Sequence, residues 1–202
     1  MGQYYKIGIN RTDDLDSRKT AYYYPEMLKL MEFSWLTNWN MNWVESLLKT
    51  PAVIVWVGDY ADQHIKEPRN TSEKITSEFD ASTEDRIFTD SKGGFLHAFN
   101  DDGCPEAVDC KTRKTCYAKY LINLTKKEFI DIEHYKNEFT NKDDFCIHPL
   151  PLLTAVGNGL GGGDYHGINM EFVGIWAGDT IQTLKAQPDS TFTDMTAAYG
   201  FM

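Results

Sequence analysis

The sequence has no apolar run that approaches the about 18 residues needed to cross a bilayer, and no basic segment leading into an apolar one at its start. We therefore expect a cytoplasmic protein. Positive charge is scarce, since 20 Lys and Arg stand against 30 Asp and Glu, which gives a formal net charge of −10. Phosphate backbones and anionic lipid repel such a chain. The expected partner is a protein, with a small-molecule ligand as the other class, and neither bulk nucleic acid nor membrane.

Cysteine is also rare, with four in the chain. Cys104, Cys110 and Cys116 are separated by five residues each, whereas zinc sites usually space paired ligands about two to four residues apart. These thiols are thus a weak zinc set, even with His97 and His148 to complete it. We expect free thiols in a reducing compartment and no cofactor.

The rest of the composition is that of a globular protein. The chain has 202 residues, of which 42% are hydrophobic and 25% charged, enough for one compact domain. Residues 61–116 are rich in Ser, Thr, Asp, Glu and Lys and show no sustained period, which predicts a polar insertion. It separates two ordered halves, residues 1–60 and 117–202.

Apolar periodicity predicts the elements of both halves. Alternation indicates strands, and spacing of three or four residues indicates helices. In the first half it predicts a strand over 4–10, helices over 25–36 and 43–48, and a buried strand over 52–57. In the second it predicts a hairpin over 117–132, a strand over 170–177 and a weakly helical tail over 191–199. The class expected is α+β, with a mixed or mainly antiparallel central sheet and a few short helices.

Two short strings recur in the same order and suggest an internal duplication. Ile9-Asn10-Arg11-Thr12 is echoed by Ile122-Asn123-Leu124-Thr125, and Trp56-Val57-Gly58-Asp59 by Trp176-Ala177-Gly178-Asp179. The sheet would then be built from two degenerate repeats. A Trp, Gly and Asp at a strand end also suit packing and a turn, which favours a structural role over a pair of symmetric catalytic aspartates.

Four strings carry a resemblance to a known family. They are MGQYYK at 1–6, LINLTKKEF at 121–129, HPLPLLTAVGNG at 148–159 and GGGDY at 161–165. In these the chain resembles a family of small bacterial and phage proteins that has no established activity. The likeness covers most of the two ordered halves and fails over 61–115. It implies a bacterial cell or a phage-infected host as the setting and assigns no catalytic residue.

The glycine-rich segment 157–167 is the main candidate for ligand binding. Backbone N–H groups of such loops can approach a ligand closely, but no Gly-Lys-Ser/Thr follows, as a P-loop requires. An acidic residue in a phosphate cradle would be repulsive unless it held a metal. A tight structural turn is the competing interpretation. The candidate ligand-binding residues are Gly157, Asn158, Gly159, Gly161, Gly162, Gly163, Asp164 and Tyr165.

No nucleophile elbow or other catalytic motif is present. If the protein is an enzyme, His148, Asp164 and His166 are the candidates, because they flank the glycine-rich loop and are types that serve acid–base or metal roles. Packing beside a proline for His148, and simple exposure for His166, are the alternatives.

Tryptophans crowd one short region of the first half. Trp35, Trp39 and Trp43 fall within nine residues, more than a small helical hairpin needs for its core. Tryptophan is enriched in interface hot spots, so these three are the candidate partner-binding residues, with core packing as the alternative. The sequence thus predicts a non-enzymatic binding protein that acts on a protein partner, as an immunity protein or a phage-encoded inhibitor of host defence does. The alternative is a small-ligand or nucleotide-binding enzyme or sensor that uses the loop 157–167.

Overall fold

A computed structural model describes residues 2–11, 22–23, 28–34, 36, 39–58, 118–157 and 159–202. The elements of the first half are β1 (Tyr5–Arg11), β2 (Tyr22–Tyr23), α1 (Leu30–Phe33), α2 (Trp39–Leu47) and β3 (Ala52–Gly58). Those of the second half are β4 (Tyr120–Asn123), β5 (Glu128–Asp131), α3 (Ile132–Phe139), α4 (Pro149–Leu153), β6 (Ala155–Val156), a 3-10 helix (Met170–Phe172), β7 (Thr180–Leu184) and β8 (Thr193–Asp194). The predicted insertion, 61–116, lies outside the described residues, so the division into three regions stays a prediction.

The longest strand pair joins β1 to β3. They run antiparallel, from Tyr5 opposite Gly58 to Arg11 opposite Ala52. Alternate apolar residues of β1 point into the core, where Ile7 and Ile9 are fully buried. β3 is buried from Ala52 through Trp56, as expected for a strand covered on both faces. The two strands predicted in the first half are therefore confirmed.

The sheet contains both antiparallel and parallel pairs. Its order is β2-β1-β3-β7-β4-β5-β8, and β6 pairs with β3 beside that path. β7 pairs antiparallel with the start of β3 at Ala52 and Val53, whereas β6 pairs parallel with its end at Trp56 and Val57. β8 also pairs parallel, with β5. The expected α+β class, with a mixed sheet and a few short helices, is confirmed.

β4 and β5 form the expected hairpin, and both faces of β4 are covered. Leu121 and Ile130 lie in the main core, while Tyr120, Ile122 and Phe129 form a second apolar cluster on the other face. This division follows from the alternation of side chains along a strand. Tyr120 and Phe129 meet edge to face, with ring centroids 5.9 Å apart. The hairpin therefore joins two apolar layers.

The helices differ in extent from those predicted. Of the helix expected over 25–36, the described residues 28–34 and 36 show only α1. Before it the chain is still extended, because the Tyr5 N–H donates to the Leu28 carbonyl at 2.7 Å in an antiparallel bridge. α2 begins at Trp39, before the predicted residue 43. The apolar segment after His148 forms α4, whose first residue is Pro149, a residue suited to a first helical turn.

The strand expected over 170–177 is wrong. Residues 170–172 form a single turn of 3-10 helix, and residues 173–178 form consecutive turns. Asn169, Gly174 and Gly178 have φ values of 61°, 83° and 73°, in the left-handed region that a strand cannot use. Local bonds close the turns, such as that from the Ala177 N–H to the Gly174 carbonyl at 3.1 Å. Apolar alternation alone could not reveal these reversals of the chain.

The structure does not show the two repeats. Asn10 and Gly58, from the two strings of the first half, lie toward opposite ends of the β1–β3 pair. In the second half Asn123 donates directly to Asp179, at 2.8 Å. Trp176 stands on a turn rather than on a strand. The duplication therefore stays a prediction from the strings alone.

The tail forms β8 and turns instead of the weak helix expected over 191–199. Tyr199 and Phe201 are nevertheless buried in the main core. The Phe201 N–H donates to the Tyr135 hydroxyl at 3.0 Å, which attaches the tail to α3.

Candidate functional site

The glycine-rich loop packs against the start of β1. A Cβ atom on Gly161 would lie 2.5 Å from the Gln3 backbone nitrogen, and one on Gly157 would lie 2.8 Å from the Gln3 side-chain oxygen. Gly163 has a φ of 104°, and its carbonyl accepts from the Met31 N–H at 3.1 Å. Close approach to the backbone requires glycine at 161 and the positive φ favours it at 163, whereas Gly157 contacts only the ends of side chains. Packing accounts for them without a ligand.

Two other glycines of the loop face open space. A Cβ on Gly159 or Gly162 would meet no atom within 4 Å. Leu160 between them is 77% exposed. Asn158 lies outside the described residues. Among the described residues of the loop, Gly159, Leu160 and Gly162 are therefore the exposed ones that a ligand could meet.

Asp164 and Tyr165, also predicted to bind a ligand, are buried and make internal contacts. The Gly161 N–H donates to the Asp164 carboxylate at 2.8 Å, and the Asp164 N–H donates back to the Gly161 carbonyl at 3.0 Å. The Tyr165 hydroxyl donates to the Ile168 carbonyl at 2.6 Å and accepts from the Met202 N–H at 3.0 Å. Burial raises the pKa of this hydroxyl. Asp164 closes the turn, and Tyr165 joins the loop to the tail.

His148 lies in the core, fully buried, and caps α4. Its Nδ1 accepts from the Leu150 N–H at 3.1 Å, which assigns the ring proton to Nε2. That Nε2–H donates to the Glu45 carboxylate on α2 at 2.9 Å, and the Glu45 side chain is 1% exposed. One ring nitrogen therefore caps α4, and the other joins this cap to α2.

The three catalytic candidates do not converge. His148 bonds to Glu45, Asp164 bonds to Gly161, and His166 is exposed. In the part of the chain that the structure describes, none of the three side chains bonds to another, and no group of three or more His, Cys, Asp or Glu could hold a metal ion. The structure brings no acid–base set together around the loop.

A polar cluster that the sequence did not predict lies at the turn end of the β4–β5 hairpin. Glu128 accepts from the Trp176 indole N–H at 2.7 Å and from the Tyr199 hydroxyl at 2.9 Å. The two rings meet edge to face, 5.7 Å between centroids. Burial first, and then the Glu128 carboxylate, raise the pKa of Tyr199. No local pattern marks Glu128, because its partners are 48 and 71 residues away.

The same cluster contains the second copies of the two recurring strings. The Asn123 amide, fully buried, donates to the Asp179 carboxylate at 2.8 Å. The Lys126 ammonium lies 3.7 Å from that carboxylate, and its backbone N–H donates to the Asn123 side chain at 2.9 Å. The Glu128 carboxylate thus has two hydrogen-bond donors, and the Asp179 carboxylate has one donor and the Lys126 cation. This arrangement favours a structural role for Asp179 and Glu128.

The remaining predicted residues are mostly beyond the described ranges. Trp35, Cys104, Cys110 and Cys116 lie outside them. Trp39 and Trp43 stand on α2, but their side chains are among those not described. Cys146 is a buried free thiol, and burial raises its pKa. The partner-binding tryptophans and the weak zinc set stay predictions.

Three exposed apolar side chains stand on two segments whose backbones are joined, 167–170 and the tail. Ile168, Met170 and Met202 are 49%, 44% and 60% exposed. Their backbones are held together, because the Tyr165 hydroxyl contacts the carbonyls of both Ile168 and Met202. The Asn169 amide adds a bond to the Gly200 carbonyl at 2.6 Å. We call Ile168, Met170 and Met202 the apolar patch.

Comparison of the chain with protein-family models, curated proteins and solved structures found no match. The resemblance to a bacterial and phage family therefore stays a prediction. Among the described residues no helix has both the length and the apolar character that a bilayer-crossing segment needs.

Proposed function

We propose that this protein is a non-enzymatic binding protein and that the apolar patch is part of the surface that contacts a protein partner. The supporting observation is the exposure of Ile168, Met170 and Met202 on backbone that is fixed by hydrogen bonds. Exposed apolar side chains that lie together on polar protein surfaces are typical of interaction sites. A preformed backbone reduces the entropy lost on binding.

Charge defines the chemistry of the partner. The protein carries a formal net charge of −10, so its field attracts a basic protein and repels an acidic one. A partner with an apolar centre and a basic rim would fit both the patch and the charge. Immunity proteins and inhibitors of host defence act by such stoichiometric binding, and we propose this class for the protein.

An enzyme or sensor at the glycine-rich loop has less support. His148 uses both ring nitrogens in the core, and Tyr165 and Gly161 are part of internal contacts. A ligand that recruited these groups would have to replace the bonds that hold the fold. Binding through a surface patch requires no such exchange.

Affinity capture with matched variants tests the proposal. Immobilised protein would be exposed to a bacterial lysate at physiological salt, and retained proteins identified by mass spectrometry. The double variant Ile168→Ser with Met170→Gln should weaken binding of a purified partner at least about tenfold, since hot-spot apolar residues contribute about 2 kcal/mol or more. Leu160→Ser is the control, because it removes an exposed apolar side chain outside the patch.

Two results would contradict the proposal. One is the absence of any specifically retained basic protein. The other is equal binding of a retained protein by the patch variant and the Leu160 control. Sedimentation of the isolated protein measures its oligomeric state and so shows whether the patch instead joins two copies of the chain.

A further inference from the structure

Two methionines of the apolar patch differ in exposure from the other methionines that the structure describes. Met170 and Met202 are 44% and 60% exposed. Met41 is fully buried in the main core, and Met31 and Met195 are partly buried against it. Peroxides oxidise the thioether of methionine to the sulfoxide, and an exposed sulfur is more accessible to them than a buried one. Among the described methionines, an oxidant in solution therefore reaches Met170 and Met202 first.

Oxidation changes the chemistry of this surface and leaves its support in place. Hydrogen peroxide transfers an oxygen atom to the sulfur, which gives up two electrons as the S–O bond forms; the O–O bond breaks and water leaves. The product is a polar sulfoxide where an apolar thioether stood. The bonds that fix the backbone of the patch run from the Tyr165 hydroxyl and the Asn169 amide to backbone carbonyls, so they involve neither sulfur.

We propose that Met170 and Met202 form an oxidation site at which peroxide converts the apolar patch to a polar surface. Cys146 competes poorly for the oxidant, because it is 5% exposed and burial raises its pKa, which keeps it in the less reactive thiol form. The exposed sulfoxides are accessible to methionine sulfoxide reductases, so the change is reversible. The effect on a protein partner rests on the proposed function, since burying a sulfoxide without a hydrogen bond weakens an interface.

Peptide mapping of the folded protein tests the site. The protein would be treated with H2O2 in the presence of EDTA, quenched at intervals with free methionine, and digested, and the sulfoxide at each methionine measured by mass spectrometry. Met170 and Met202 should be oxidised at least about tenfold faster than Met41, because Met41 reacts only when the core opens. In urea-unfolded protein the three rates should become similar. Oxidation of Met41 in the folded protein at the rate of Met170 and Met202 would overturn the proposal.

Retention on a phenyl column measures the effect of oxidation on the surface. Peroxide should make the wild type elute earlier, and methionine sulfoxide reductases should restore its retention. The double variant Met170→Leu with Met202→Leu keeps both side chains apolar and leaves the other methionines in place, so peroxide should not change its retention. An equal change in this variant and in the wild type would overturn the proposal, because the affected surface would then lie elsewhere.

Binding of a partner from the affinity capture tests the regulatory effect. Peroxide should weaken binding to the wild type at least about fivefold, whereas the double Leu variant should bind equally before and after peroxide. A retained partner whose binding to the wild type is insensitive to peroxide would refute this effect. The absence of any retained partner would instead refute the proposed function, and peptide mapping and column retention would still decide whether Met170 and Met202 are the oxidation site.

Discussion

Replacing His148, a predicted catalytic residue, removes both its bond to Glu45 and its cap on α4. In His148→Ala the Glu45 carboxylate loses the donor that lies 2.9 Å away, in a place where both side chains are almost fully buried. A hydrogen bond to a charged group contributes about 1.5–3 kcal/mol. The cap on α4 is lost as well, which costs about 1 kcal/mol. The free energy of unfolding should therefore fall by about 2.5–4 kcal/mol, before any contribution from the cavity.

A second variant separates the two contributions. Asn is a favoured cap residue, but its side chain is too short to occupy both positions of the imidazole, so His148→Asn should keep the bond to Leu150 and lose that to Glu45. It should be about 1 kcal/mol more stable than His148→Ala. His166→Ala is the control, because His166 is exposed and should change stability by less than about 0.5 kcal/mol.

Urea unfolding followed by circular dichroism and tryptophan fluorescence measures these differences. With a slope of about 2 kcal/mol/M, His148→Ala should lower the midpoint by roughly 1–2 M. A loss below about 1 kcal/mol would refute the assigned role of the His148–Glu45 bond. Equal stability of the Ala and Asn variants would refute the cap.

Three further predictions concern other parts of the fold. Gly161→Ala places a Cβ 2.5 Å from a backbone nitrogen and should lower the free energy of unfolding, measured by thermal unfolding, by about 1–3 kcal/mol. In Gly162→Ala the Cβ meets no atom, so stability should not change; equal effects of the two substitutions would contradict the packing role of Gly161. Trp176→Phe removes the indole bond to Glu128 and should lower urea stability by about 1.5–3 kcal/mol, so unchanged stability would exclude that bond as a stabilising contact. Burial raises the pKa of Tyr135, so the folded state keeps a proton that the unfolded state releases near its ordinary value of about 10. The contribution of this tyrosine to stability is therefore constant below about pH 10 and should decrease above it by up to about 1.4 kcal/mol per pH unit. Urea unfolding between about pH 9 and 11 should show a smaller decrease for Tyr135→Phe than for the wild type.

Strands with a simple burial pattern could be predicted from the sequence. β1 alternates, β3 is apolar throughout, and the β4–β5 hairpin brackets a polar turn. In each case the apolar pattern of the strand follows from whether one or both of its faces are covered. The segment 170–177 has the same alternation and no strand, because Gly174 and Gly178 turn the chain in the left-handed region. A glycine in an apolar stretch occurs in strands and in turns. Which of the two forms depends on whether the backbone pairs with another strand or bonds locally.

The candidate site was less predictable because its contacts are distant in sequence. His148 and Glu45 are 103 residues apart, and Asn123 and Asp179 are 56 apart. Their residue types indicated polar chemistry, but not that the polar atoms bond to each other inside the core. The recurring strings did mark Asn123 and Asp179, although as copies of a repeat rather than as partners. In a single sequence, the recurrence of these strings could not distinguish a repeated unit from two residues that contact each other.

In the glycine-rich loop, groups that already form contacts within the fold are poor candidates for ligand binding. Close approach to the Gln3 backbone explains Gly161, so this glycine is needed whether or not a ligand exists. A group that already bonds within the fold can meet a ligand only if that bond is exchanged, which offsets much of the binding energy. A partner or ligand should therefore bind at exposed groups whose contact with it breaks no bond within the fold. The apolar patch meets that condition, because its three side chains are between 44% and 60% exposed.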